Sequence, residues 1–186
     1  MKIVLLVVGK TNEKYLKEAI ELFEKRIQHY ISFEKNVIPE LKNVKNLSVA
    51  QQKEKEAKAI LKQIQDTDSL ILLDEKGMQY DSIGFSDFLK QKMNAGLKRM
   101  VFVVGGPYGF AQEVYERSSA KIALSKMTFS HQMVRLIFME QLYRAMTILK
   151  GEPYHHEWMF FAVGKGGFVA LRGRKHNHIS FIYLCW

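Results

Sequence analysis

A single cysteine in 186 residues, Cys185, excludes an internal disulfide framework and any cysteine-rich zinc site. Proline is almost as scarce. Pro39, Pro107 and Pro153 stand where strands or helices should stop, not inside them. Acidic residues are outnumbered, 19 Asp+Glu against 28 Lys+Arg. The resulting net charge of +9 suits a polyanionic partner, nucleic acid being the commonest, and equally a basic surface that only keeps the protein solvated. No apolar run before residue 158 is long enough to cross a membrane, and the one in MKIVLLVVGK is too short for a signal peptide. A cytoplasmic protein without membrane association is expected. At 47% hydrophobic and 25% charged, the chain suits one soluble domain with a sizeable core.

What is present alternates between two periods. Lys2–Val8 is a continuous apolar run closed by Gly9, the pattern of a strand buried on both faces. Residues 13–28 follow at helical spacing, with Tyr15, Leu16, Ala19, Ile20, Phe23 and Ile27 on one side. Phe33–Ile38 reads as a strand. Residues 42–48 read as a loop, and Ser48 as the N-cap of a charged helix through Ile64 that mostly faces water. Ser69–Leu73 is a third strand, residues 83–95 a helix ended by Gly96, and Val101–Val104 a fourth strand. A short helix over residues 112–117 precedes a fifth strand, Ile122–Leu124. Ser130 or Thr128 then caps a helix to about Lys150, stopped by Gly151 and Pro153. This alternation predicts an α/β fold with a mainly parallel sheet flanked by helices.

Two loops carry the chemical interest. Gly105-Gly106-Pro107-Tyr108-Gly109 follows the fourth strand, and Leu124-Ser125-Lys126-Met127-Thr128-Phe129 follows the fifth. Loops at the carboxyl ends of neighbouring parallel strands form a crevice where ligands bind. The glycine loop is neither the dinucleotide fingerprint, since Pro107 occupies the place of its second glycine, nor a P-loop, since no Gly-Lys-Ser/Thr follows. Alone it could be a tight turn. A second unusual loop about twenty residues on favours a ligand, with backbone groups bracketing an adenine-like ring and Leu73, Leu124 and Phe129 as apolar lining.

His131 and Arg135 lie four apart on one helix face, and Arg135 is expected to project over the pocket, its fork holding phosphate or a base edge. Glu140 and Arg144 repeat the spacing and read as a surface ion pair. Tyr154 and His155, beside His156, can exchange protons or belong to a frayed terminus. No further ligands at metal spacing join the histidines, so no metal is expected.

Taken in order, VFVVGGPYG, LSKMTFSHQMVR, the helix with EQLYRA and the closing GEPYHHE resemble the bacterial large-subunit rRNA pseudouridine methyltransferase H family, of the SPOUT class. MKIVLLVVGK and LLDEKGM are similar to it as well, so the resemblance spans residues 1–157. It implies a C-terminal trefoil knot, which residue-level reading does not suggest because knots are nearly absent from folds. It implies S-adenosylmethionine bound by Leu73, Gly105 and Leu124 to Phe129, including Ser125, Lys126, Met127 and Thr128. The implied reaction methylates N3 of a pseudouridine in 23S rRNA of the assembled ribosome. The implied enzyme is a homodimer; for the transfer, Tyr154 and His155 are the candidate base or base-holders and Arg135 the cation for charge developing on the target base, while His131 is expected to shape the helix entry. The alternatives are a SPOUT methyltransferase acting on tRNA or another rRNA site, and a ribosome-binding factor without catalysis.

Two departures stand out. Ser130 occupies a position where the family usually has proline, and serine can still cap the helix. Residues 158–186 lie outside the resemblance. They hold Lys165, Arg172, Arg174 and Lys175 but no acid, and without them the charge is +5. Phe160–Val163 and Phe168–Leu171 could pair as a hairpin, or the whole extension could be non-native coding sequence.

Overall fold

A computed structural model describes residues 1–41 and 47–152, together with the strand backbone of residues 160–164 and 167–171. Five parallel strands form one sheet in the order β2-β1-β4-β3-β5. They are β1 (Lys2–Val8), β2 (Ser32–Ile38), β3 (Ser69–Gln79), β4 (Arg99–Val104) and β5 (Ala120–Ala123). The helices are α1 (Lys14–Gln28), α2 (Val49–Leu61), α3 (Ser82–Asn94), α4 (Gln112–Arg117) and α5 (His131–Lys150).

The continuous apolar runs are explained by burial on both sheet faces. Alternate residues of a strand point to opposite faces, and the core divides accordingly. Ile3, Leu5, Val7, Ile71 and Phe102 pack with Ile20 of α1, Phe85 of α3 and Phe138 of α5. Val4, Leu6, Leu72, Val101 and Val103 pack with Ala57 and Ile60 of α2 and Val114 of α4. Three layers result, with α1, α3 and α5 on one side of the sheet and α2 and α4 on the other.

Several boundaries moved from their expected places. Helix α2 stops at Leu61 rather than Ile64, because Gln63 and Ile64 donate to the carbonyls of Ile60 and Leu61 in a tightened i→i−3 turn. Its start is a capping box, with Gln51 N donating to Ser48 Oγ at 3.2 Å and Ser48 N to Gln51 Oε1 at 3.0 Å. Strand β5 begins two residues early and ends at Ala123. Of the two candidate caps for α5, Ser130 holds the place, its Oγ accepting from Met133 N at 3.2 Å. Gly151 closes that helix in the left-handed region (φ 70), as the αL cap requires.

Strand β3 departs most from expectation. It runs six residues past Leu73, and its pairing with β5 shifts register between Leu73 and Met78. Residues 74–77 therefore bulge away from the ladder, as bulges beside functional sites do. Gly77 permits this return, since a Cβ there would stand 2.5 Å from Ile122 N and 2.6 Å from Lys121 C. Beyond the sheet, β6 (Phe160–Gly164) and β7 (Gly167–Leu171) pair antiparallel as a hairpin, one of the two readings of that segment.

Candidate functional site

A cavity of about 520 Å³ opens at the carboxyl ends of β3, β4 and β5. Its walls come from Leu73 and the β3 bulge, the glycine loop after β4, the loop after β5, and the first turn of α5. The strand ends position these loops by topology alone, because parallel strands deliver all their carboxyl ends to one edge.

Two glycines of the first loop stand against neighbouring side chains. A Cβ on Gly105 would meet the Phe110 ring at 3.0 Å, and one on Gly106 would meet Glu56 Oε2 at 2.6 Å. Glu56 is buried beneath the loop and held by Gln52 Nε2 at 3.0 Å. The backbone of Gly105 and Gly106 is thus pressed into the wall, leaving the opposite side open to a ligand. The second loop is pinned at its tip, where Met127 N donates to Ser125 Oγ at 2.9 Å.

Most of the expected cofactor residues converge here. Leu73, Gly105, Leu124, Ser125, Met127, Thr128 and Phe129 all line the cavity. Lys126 is exposed and is not part of the lining. Met127 is 75% exposed even though it lines the cavity. Tyr154 and His155 lie outside the described residues.

Arg135 requires a correction. It does not project over the cavity; its side chain is only 1% exposed and runs beneath the β1–α1 turn. There Nη2 donates to Val8 O at 2.7 Å and Nη1 to Thr11 Oγ1 at 2.9 Å. Helical spacing placed Arg135 with His131 correctly but could not tell which neighbouring element the shared face packs against. Beside it, Asn12 N donates to Gln132 Oε1 at 2.8 Å, so α5 holds the turn at two points. Glu140 and Arg144 form the expected ion pair, with Nη2 to Oε1 at 2.5 Å.

The sequence reading gave no site role to Lys53, Asp74 or Tyr115, and expected His131 to shape the helix entry rather than line the cavity, as it does. Tyr115 donates its hydroxyl to Asp74 Oδ2 at 2.5 Å, while Asp74 Oδ1 accepts from Lys76 N at 2.8 Å. Burial, and next the bond to Asp74, push the Tyr115 phenol up to about 12. The position of Asp74, directly after a buried strand and before a glycine, was a legible signal for this pair. Burial, then the positive charge of Arg135, hold His131 below its usual value, with Glu40 opposing. Among the described residues no group of three His, Cys, Asp or Glu side chains could hold a metal ion. Nor is any described helix long and apolar enough to cross a membrane.

The family described as "Predicted SPOUT methyltransferase" matches residues 1–155. The chain is similar to the ribosomal RNA large subunit methyltransferase H of Parabacteroides distasonis, 63% identical over 157 residues, covering 84% of this chain and 100% of that one. The corresponding protein of Christiangramia forsetii is 58% identical over 156 residues, covering 84% and 99%. Among solved structures, the SpoU methyltransferase AviRb from Streptomyces viridochromogenes, in complex with AdoMet, aligns with a TM-score of 0.43 at 12% identity, covering 81% of this chain and 59% of that one.

Proposed function

The chain belongs to the SPOUT methyltransferase family, and from that premise we propose that it methylates N3 of a pseudouridine in 23S rRNA of the assembled ribosome, using S-adenosylmethionine. The observation that carries this reading is the cavity formed where the glycine loop and the loop after β5 meet. Its volume suits a nucleoside-sized ligand. The chain's own residues fit such a group. Gly105 and Gly106 present bare backbone. Leu73, Leu124 and Phe129 supply the apolar faces an adenine ring needs, and Ser125 and Thr128 add polar groups. When bound, the cofactor supplies an electrophilic methyl group on a sulfonium, a transfer that needs alignment rather than a metal.

The protein's part is to orient and to exclude water. The β3 bulge and the first turn of α5 wall the cavity, and the Asp74–Tyr115 bond closes one side of it. Tyr154 and His155 act on the target base, as its holders or as a proton acceptor. Arg135 contributes by fixing the β1–α1 turn against α5 rather than by touching substrate.

The proposed working form is a homodimer, as the family resemblance implies. His131, at one end of α5, lines the cavity, while Glu152, at the other, accepts from the Tyr30 hydroxyl. Twenty helical residues span about 30 Å. Tyr154 and His155 lie within three residues of Glu152, a reach of about 10 Å. In that homodimer both protomers supply residues to each site. Residues 1–157 form the methyltransferase domain, knotted through the loops after β4 and β5, and 158–186 are an extension outside it. Ribosomal substrate places the protein in the cytoplasm. A domain with a charge of only +5 makes few phosphate contacts, which favours a preformed ribosomal site over free RNA.

The test is methyl transfer from labelled cofactor to ribosomes lacking the modification, to free 23S rRNA and to tRNA, using the full chain and a version ending at Glu157. Transfer to ribosomes alone is expected. Transfer to tRNA alone would overturn the substrate assignment, and transfer only by the shorter chain would show that the extension blocks the site.

A further inference from the structure

Resting on the reading that this cavity takes the methyl donor and the target base, we propose that His131 accepts the N3 proton of that base. The N3–H bond breaks and its proton passes to an imidazole nitrogen. The N3 electron pair forms the bond to the methyl carbon, the carbon–sulfur bond breaks, and its pair returns to sulfur as a neutral thioether. The imidazolium then releases its proton to solvent.

Position comes first. His131 is the first residue of α5 and lines the cavity, and its neighbours hold it there. Ser130 caps the helix through Met133 N, and Gln132 accepts from Asn12 N. These bonds fix the turn that carries His131.

Among the described residues that line the cavity, Lys53 and Lys76 are cationic donors. Asp74 is already engaged, accepting from Tyr115 and from Lys76 N, and Tyr115 has its proton committed to Asp74. Glu75 and Tyr108 are exposed at the rim. His131 offers a half-buried nitrogen that can gain a proton near neutrality.

The surroundings suit an acceptor. Burial, Arg135 one turn along, and the positive end of α5 all disfavour imidazolium. Glu40, beyond β2, is the opposing charge. Arg135 is fixed to Val8 O and Thr11 Oγ1, so its field on His131 is permanent. These influences favour the neutral, proton-accepting form of His131. This leaves base-holding, not proton removal, to Tyr154 and His155.

Three readouts test the assignment on the full-length protein. The His131 ring, titrated by NMR without cofactor, is expected to show a pKa below 6.5. The acid limb of the single-turnover rate on unmodified ribosomes is expected to fall at the corresponding pH. His131→Asn is expected to abolish that limb and slow transfer about 10²–10⁴-fold. It should unfold like the wild type and bind S-adenosylhomocysteine within threefold of it. Imidazole added to His131→Ala is expected to restore part of the rate. An unchanged rate profile in His131→Asn would overturn the proposal, as would a loss of S-adenosylhomocysteine affinity in step with the loss of rate. If the wild type binds S-adenosylhomocysteine but methylates no ribosome, the substrate reading fails and this assignment falls with it.

Discussion

Replacing Arg135 by methionine separates two accounts of this residue. Methionine keeps the length and the apolar stem but removes the guanidinium. Val8 O then loses its donor at 2.7 Å and Thr11 Oγ1 its donor at 2.9 Å. Hydrogen bonds from a charged donor contribute about 1.5–3 kcal/mol each. Against this stands the desolvation of a buried cation whose Nε has no partner, a penalty of several kcal/mol that the substitution relieves. The net loss is about 1–3 kcal/mol. For a chain of this size, 1 kcal/mol shifts Tm by about 2–4 °C, so a drop of about 2–12 °C is expected. Arg135→Lys should fall between, since one ammonium can serve only part of the pair. Thermal unfolding, cofactor affinity and methyl transfer should be measured on the same preparations. Stability should fall, and any loss of transfer should be accompanied by weaker cofactor binding. A variant with wild-type Tm and affinity but transfer reduced more than tenfold would refute the buried role and restore the pocket-facing cation.

Four further outcomes are expected. Gly77→Ala should be among the most damaging small substitutions, costing about 1–3 kcal/mol through overpacking, because its Cβ would meet Ile122 backbone rather than a movable side chain; unchanged chemical denaturation would count against the bulge. Gly105→Val should abolish cofactor binding measured by calorimetry, since even its Cβ touches Phe110 at 3.0 Å; wild-type affinity would refute the pocket. The folded protein holds His131 below its usual value, so the unfolded chain binds the extra proton more readily. The stability associated with neutral His131 should be present above about pH 6.5 and decline as pH falls through that value, and His131→Gln should flatten this part of the Tm–pH curve. Finally, mixing Gly105→Val protomers with protomers carrying Tyr154→Phe and His155→Ala should restore transfer that neither homodimer shows; no recovery would argue against a site shared between protomers.

The parallel fold was legible because burial on both faces demands uninterrupted apolar runs, and Lys2–Val8, Ser69–Leu73 and Val101–Val104 are such runs. The helix ends were legible for an equally local reason, since Ser48, Ser130 and Gly151 satisfy orphan backbone groups within a few residues of themselves. The first site loop could be found because glycine and proline punctuate the end of β4, and the second because it links a short apolar run to the Ser130-capped helix. The β3 bulge could not, because it depends on Gly77 passing against β5, forty-five residues further along.

Sequence by itself determined what local chemistry controls: which segments become strands and helices, where they stop, and which loops meet at the strand ends. Tertiary structure alone decided where the faces turn. Helical spacing puts His131 and Arg135 on one side of α5, but only packing sends Arg135 beneath the β1–α1 turn and leaves His131 at the cavity. Periodicity fixes an angle around a helix axis. The partner at that angle depends on chain more than a hundred residues away.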